Sequence, residues 1–309
     1  MLIKKFCLTY LMVCLFSLTA CAANENTENI KPEETETSEE ETMEESLVKT
    51  VEFDGKQMDY IQFGNKDGKK LVILPGLSLK SVMGAAEAIV NAYSLLAADH
   101  EVYLFDHIKE EPEGYEINDM ADDTLKAFDL LGLEHVDLMG VSMGGMVAQT
   151  IALKRNDAVD SLILCSTTSN AKGLDPAVFE NWKKLAEERD VNALMESFGE
   201  KVYSPDFYAK YKDIIIAGGQ GVTEQDYVNF LTSLNGIREF DVYDELDQIK
   251  CPVLVMGAGE DQVVGVKSSL DIVEKLGCKY FIYEGYGHGV YDEAPDYLSH
   301  IKEFLDGLK

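Results

Sequence analysis

Val136-Asp137-Leu138-Met139 runs straight into Gly140-Val141-Ser142-Met143-Gly144-Gly145, and from there into a stretch of helical spacing, Met146 to Lys154. The order is a short strand, a sharp turn and a helix. A serine on such a turn sits in strained backbone geometry with its hydroxyl exposed, and the flanking glycines let the chain turn and the helix pack close. This is a nucleophile elbow with Ser142 as its candidate nucleophile. The next N–H, that of Met143, is placed to meet a bound oxyanion. The pattern Gly-x-Ser-x-Gly is short enough to arise by chance, so its surroundings must carry the reading.

Three other segments supply those surroundings. Leu71-Val72-Ile73-Leu74 reads as a buried strand ending in the turn Pro75-Gly76-Leu77-Ser78, and the Leu77 N–H is the candidate second oxyanion donor. Pro252 to Met256 is another buried strand, leading into Gly257-Ala258-Gly259-Glu260-Asp261, a loop with two carboxylates. Lys279 to Tyr283 reads as the last strand, and Gly285-Tyr286-Gly287-His288-Gly289 then sets a histidine between glycines before a terminal helix, Pro295 to Leu308. His288 lies 27 residues after Asp261, across one helix and one strand. That distance brings adjacent strand ends to one crevice.

From about Val51 onward the chain resembles the α/β-hydrolase superfamily, of the serine-nucleophile type with a helical cap. Gly287-His288-Gly289 to Glu293-Ala294-Pro295 is similar to that family's Gly-His, then Glu-x-Pro and a final helix. The order serine, acid, histidine is the family's own. The resemblance favours Asp261 over Glu260 as the acid, because Gln262-Val263-Val264 and the helix from Lys267 match the stretch after the acid in relatives. Two departures stand out. Many relatives begin the oxyanion loop with His-Gly where this chain has Pro75-Gly76, which alters the pocket floor. After Leu104-Phe105-Asp106, relatives often continue Asp-x-x-Gly-x-Gly, and this chain has His107-Ile108-Lys109-Glu110-Glu111-Pro112.

Strand and helix signals alternate, as expected of an α/β fold: a mostly parallel sheet covered by helices on both faces, opened by an antiparallel hairpin across Asp54-Gly55. The domain is expected over residues 47–309, with a helical cap at about 170–249 inserted between two late strands. Cap helices are expected over Asp175–Arg189, Asn192–Val202, Pro205–Ala217 and Thr223–Leu234. Their aromatic residues, Phe179, Trp182 and Phe198 among them, either line an apolar acyl pocket or pack helix on helix; the second reading is the more common fate, and none is assigned to the site.

Residues 1–21 read as a targeting segment. Lys4 and Lys5 precede an apolar run of 15 residues, Phe6 to Ala20, shorter than the roughly 20 that span a bilayer. Leu18-Thr19-Ala20-Cys21 resembles a bacterial lipobox, which implies lipidation of Cys21 and an extracytoplasmic, lipid-anchored location on the cell membrane. An ordinary secretory signal or an uncleaved anchor is the alternative. Residues 22–46 hold ten glutamates and one lysine with almost nothing apolar, and are expected to form a disordered acidic tether.

The net charge of −29 excludes nucleic acid as an expected partner, and membrane contact is expected through the lipid anchor only. No His-x-x-x-His or Cys-x-x-Cys spacing calls for a metal, and no cofactor is implied. Cys165, Cys251 and Cys278 are expected as buried free thiols, with one pairing in an oxidising compartment as the alternative. The chemistry implied is acyl transfer to water on a small-molecule ester or lactone by Ser142, His288 and Asp261. Amide cleavage, a cofactor-free peroxidase-like reaction, and a binding protein that has lost turnover are the other readings.

Overall fold

The computed structural model describes residues 46–308. The targeting segment, Cys21 and all of the acidic tether before Ser46 lie outside the described residues. Eight strands form one sheet: β1 (Val48–Phe53), β2 (Lys56–Gly64), β3 (Lys69–Leu74), β4 (His100–Ile108), β5 (Val136–Val141), β6 (Val159–Cys165), β7 (Val253–Ala258) and β8 (Lys279–Tyr283). Their order is β1-β2-β4-β3-β5-β6-β7-β8. The pairs β1/β2 and β2/β4 are antiparallel and all others are parallel. The expected hairpin is present, with Asp54 at φ 48° and Gly55 at φ 77°, the left-handed pair that a two-residue turn between twisted strands requires.

Helices cover both faces. On one side lie α1 (Ala86–Ala92) and α2 (Ser94–Ala97); on the other lie α3 (Ile117–Leu131) and α4 (Met143–Lys154). Four helices come after β6: α5 (Pro176–Glu187), α6 (Val191–Val202), α7 (Pro205–Ala217) and α8 (Glu224–Ile237). The chain then returns through β7 to α9 (Val266–Leu276), β8, the single turn α10 (Val290–Glu293) and α11 (Tyr297–Asp306). Side-chain alternation along the buried strands divides the core in two. Val72, Leu138, Leu164 and Val255 face α3, α4, α9 and the inserted helices, while Leu71, Met139, Ile163 and Met256 face α1, α2 and α11.

The inserted helices begin where side chains can cap them. Asp175 accepts from the Ala177 N–H, Asp190 from Ala193 and Ser204 from Phe207, and Thr223 with Asp226 forms a reciprocal capping box. Pro176 and Pro205 occupy first-turn positions where a missing N–H costs nothing. The buried faces of α5, α6 and α8 carry Phe179, Trp182, Leu194, Met195 and Phe230, which turn toward the carboxyl ends of β3 and β5. Among the described residues, no helix is long and apolar enough to cross a membrane.

Candidate active site

The turn between β5 and α4 is built on close approaches that only glycine permits. A Cβ on Gly140 would lie 2.3 Å from the Gly144 carbonyl oxygen, and one on Gly144 would lie 2.3 Å from that of Leu74. With α4 thus pressed against the ends of β5 and β3, Ser142 adopts φ 52° and ψ −118°. Such backbone costs about 1–3 kcal/mol and persists only where its surroundings hold it. Here the Ser142 N–H donates to the Cys165 carbonyl at 2.8 Å, and the Ser142 carbonyl accepts from Thr167 Oγ1 at 2.7 Å.

The last two strands bring the other side chains. His288 Nε2 lies 3.0 Å from Ser142 Oγ, and His288 Nδ1 lies 2.8 Å from Asp261 Oδ2. The other Asp261 oxygen accepts from the N–H groups of Val263 at 2.8 Å and Val264 at 2.9 Å. Burial alone pushes the Asp261 carboxyl up, but His288 and the two N–H donors outweigh it and hold it below the usual carboxylate range. Glu260, the other carboxylate of that loop, is exposed. An imidazole fixed at Nδ1 by a carboxylate presents Nε2 to the serine as a proton acceptor.

The turn after β3 passes close to the serine. A Cβ on Gly76 would lie 3.1 Å from Ser142 Cβ, which places Leu77 beside it. Among the described residues, neither the Leu77 nor the Met143 N–H has a hydrogen-bond acceptor, and the Met143 group is the first donor of α4, where no intrahelical partner exists. The His107 ring, at the carboxyl end of β4, lies with Nε2 3.3 Å from the Gly76 carbonyl, so the turn leans on a residue outside the expected site.

Ser142 and His288 open into a pocket lined otherwise by apolar and aromatic side chains, among them Phe179, Trp182, Phe198 and Ile237. The space is about 20 Å³, on a scale where one water needs roughly 10–15 Å³. A second apolar cavity, of about 30 Å³, lies on the far side of Leu77, between the turn, α1 and the cap, and shares Gly76, Leu77 and Phe198 with the first. Three cap aromatics therefore do line the pocket, whereas Phe207 stacks on Tyr203 and packs tilted against Tyr211. Among the described residues no three His, Cys, Asp or Glu side chains are grouped to hold a metal ion. Cys165 is buried, but Cys251 and Cys278 are half-buried rather than fully so; all three thiols are free.

Residues 70–295 match the family described as the alpha/beta hydrolase fold, and the chain belongs to that family. It is 27% identical over 239 residues to a protein of Rhizobium rhizogenes named as a carbamate hydrolase, RutD, with 74% of this chain and 89% of the relative covered. It is 21% identical over 222 residues to 3-oxoadipate enol-lactonase 2 of Acinetobacter baylyi, covering 71% of this chain and 81% of that one. The crystal structure of the enol-lactonase from Burkholderia xenovorans superposes with a TM-score of 0.71 at 19% identity, over 84% of this chain and all of the other, which shows a shared fold.

Proposed function

We propose that the protein is a serine hydrolase that transfers an acyl group from a small carboxylic ester or lactone to water. The observation that carries this reading is the continuous chain of hydrogen bonds from Asp261 through both His288 nitrogens to Ser142 Oγ. His288 Nε2 takes the Ser142 proton as Oγ attacks the carbonyl carbon. The Leu77 and Met143 N–H groups hold the oxygen that becomes negative, and Asp261 stabilises the imidazolium. The tetrahedral adduct collapses as His288 returns the proton to the departing alkoxide, leaving Ser142 acylated. Water then gives a proton to His288, attacks the acyl carbon and releases the acid, and Ser142 recovers its proton.

The experiment is intact-mass measurement of residues 47–309 after exposure to a fluorophosphonate, with Ser142→Ala and His288→Ala in parallel. A single adduct that both substitutions abolish is expected. A folded parent that stays unlabelled and inactive on small esters would favour the binding-protein reading. Carbamate cleavage is the second reading, favoured by the RutD relative, and it would use the same Ser142.

The amino-terminal segment supports a further part of the proposal: lipidation of Cys21 and attachment to the outer face of a bacterial cell membrane. Each buried CH₂ contributes about 0.8 kcal/mol, so two acyl chains suffice as an anchor. Cys21→Ala is expected to move the protein out of the membrane fraction; a variant that stays there, processed like the parent, would refute the anchor.

A further inference from the structure

Seven buried side-chain polar atoms lack a hydrogen-bond partner among the described residues, and of these the Trp182 indole Nε1 alone belongs to a residue lining the Ser142 pocket. Trp182 is 1% exposed, with its ring centroid 5.7 Å from that of Phe179 and 4.8 Å from that of Phe198. The ring is therefore immobilised, and its N–H is a donor in a place where water is scarce. A buried donor without an acceptor is costly, so native structures rarely keep one without a use. Of the other lining side chains, Phe179, Phe198, Val202, Ile237, Val263 and Val264 carry no acceptor, and Ser142, His288 and Tyr291, which do, make no bond to the Trp182 N–H. What fills the pocket is the natural source of that acceptor.

The same linings restrict what that is. Neither the Ser142 pocket nor the cavity beyond Leu77 contains an Asp, Glu, Lys or Arg. A charged substrate group would be buried there unpaired, which low-dielectric surroundings penalise heavily. The cavity walls are Leu79, Ile89, Leu194, Met195 and Phe230, a lining suited to a straight apolar chain.

We propose that Trp182 is a specificity-determining residue: its N–H binds a second oxygen of an uncharged ester or lactone, one not held by the Leu77 and Met143 donors, while the substrate's apolar chain occupies the cavity beyond Leu77. This rests on the serine hydrolase reading. The oxyanion donors recognise the reacting carbonyl, which every ester has. Trp182 recognises a further acceptor, which only some have, and so discriminates among them.

The test uses p-nitrophenyl hexanoate, its 3-, 4- and 5-oxo derivatives, and the p-nitrophenyl monoester of adipic acid. At least one oxo ester is expected to exceed the hexanoate about fivefold to tenfold in kcat/KM, mainly through KM, the size of one well-formed hydrogen bond. The charged adipate is expected to be the poorest. Trp182→Phe keeps the aromatic packing and should erase the preference, bringing the kcat/KM of the preferred oxo ester down to that of the hexanoate in the same variant. Because Trp182 is the chain's single tryptophan, the indole N–H Raman band of the Ser142→Ala protein reports this site alone. The preferred oxo ester should move that band to its hydrogen-bonded position and the hexanoate should not. Unchanged ratios in Trp182→Phe, with a band that no oxo ester moves, would overturn the proposal. If no ester is hydrolysed, the hydrolase reading fails, and the Raman titration still decides the role of Trp182.

Discussion

The Gly289 N–H donates to the Val202 carbonyl at 2.7 Å, joining the residue after His288 to the end of cap helix α6. Two more contacts reinforce the joint. Tyr203 donates to Asp292 at 2.9 Å, and Glu293 accepts from both the N–H and the hydroxyl of Ser204. A Cβ on Gly287 would meet the backbone of Val202 and Tyr203 at 2.7 Å, so only glycine lets these segments sit together. The cap is thus fastened to the histidine loop at the end of α6. Glu293→Ala removes both acceptors of Ser204 and is expected to cost about 1–3 kcal/mol, lowering Tm by several degrees. It should also slow fluorophosphonate labelling through a less ordered His288. Glu293→Gln, which can still accept the Ser204 N–H, should recover most of both. Equal Tm values for the three proteins would show that the joint contributes nothing.

Asp261 and Glu260 are neighbours in one loop, and the two are expected to behave oppositely. Asp261→Asn leaves the shape intact but removes the charge that fixes the His288 tautomer, a change expected to lower kcat about 10³- to 10⁴-fold. Glu260→Gln, at an exposed side chain, should leave kcat within twofold. Steady-state rates on one ester settle the matter, and a full loss in Glu260→Gln would reverse the assignment.

The strand-turn-helix around Ser142 was legible in the sequence because Gly140 meets Gly144 and Gly145 within the turn itself, whereas the glycines around His288 were legible only as a pattern, since their close approaches are to Val202 and Tyr203 at the end of α6. The antiparallel start was legible for the same local reason as the serine turn, in Asp54-Gly55. The choice between Asp261 and Glu260 depends on which side chain turns inward to the Val263 and Val264 N–H groups, and in the sequence only family resemblance favours one. Trp182 was harder still. Phe179 and Trp182 look alike on an amphipathic helix, and what separates them is an acceptor missing from neighbours on α6, α8 and the β7–α9 loop. The use of His107 was equally hidden, since Gly76 lies 31 residues away.

Gly144 is expected to be among the least replaceable residues of the chain. An added Cβ would lie 2.3 Å from the Leu74 carbonyl oxygen and 2.4 Å from that of Pro75, both backbone atoms at the head of the turn after β3. Relief requires moving α4 away from β3, which separates the Met143 and Leu77 N–H groups. Gly144→Ala should therefore lower kcat at least 100-fold, the size of losing one oxyanion donor. Gly145→Ala meets Thr167 Cβ and Oγ1 at 2.6 Å, a contact with a side chain rather than with the backbone of the turn after β3; displacing Thr167 loses its bond to the Ser142 carbonyl but leaves the Leu77 turn in place, so a smaller loss is expected. Comparing the two by kcat and by circular dichroism separates lost geometry from lost folding. Equal effects would remove the special place given to the Leu74 contact.

Glu111 lies in the segment after β4, where the chain departs from its relatives, and it ties the main domain to the cap. Both carboxylate oxygens lie 2.8 Å from Ser233 Oγ on α8, and the Glu111 N–H donates to Asn229 Oδ1 on the same helix. Burial raises the Glu111 pKa to about 7, against an unfolded value of 4.5. Since the folded value is the higher one, the folded protein binds the extra proton between those limits. Stability is therefore full below about pH 4.5 and falls as pH rises toward 7. Integrated across that window, the ionised form costs the folded state about 3 kcal/mol at pH 8. Glu111→Gln keeps an acceptor for Ser233 without the buried charge. It should gain up to that amount in urea unfolding at pH 8 and differ little from the parent at pH 4.5. An increment independent of pH would show that the Glu111 carboxyl does not titrate between folded and unfolded states as its burial requires.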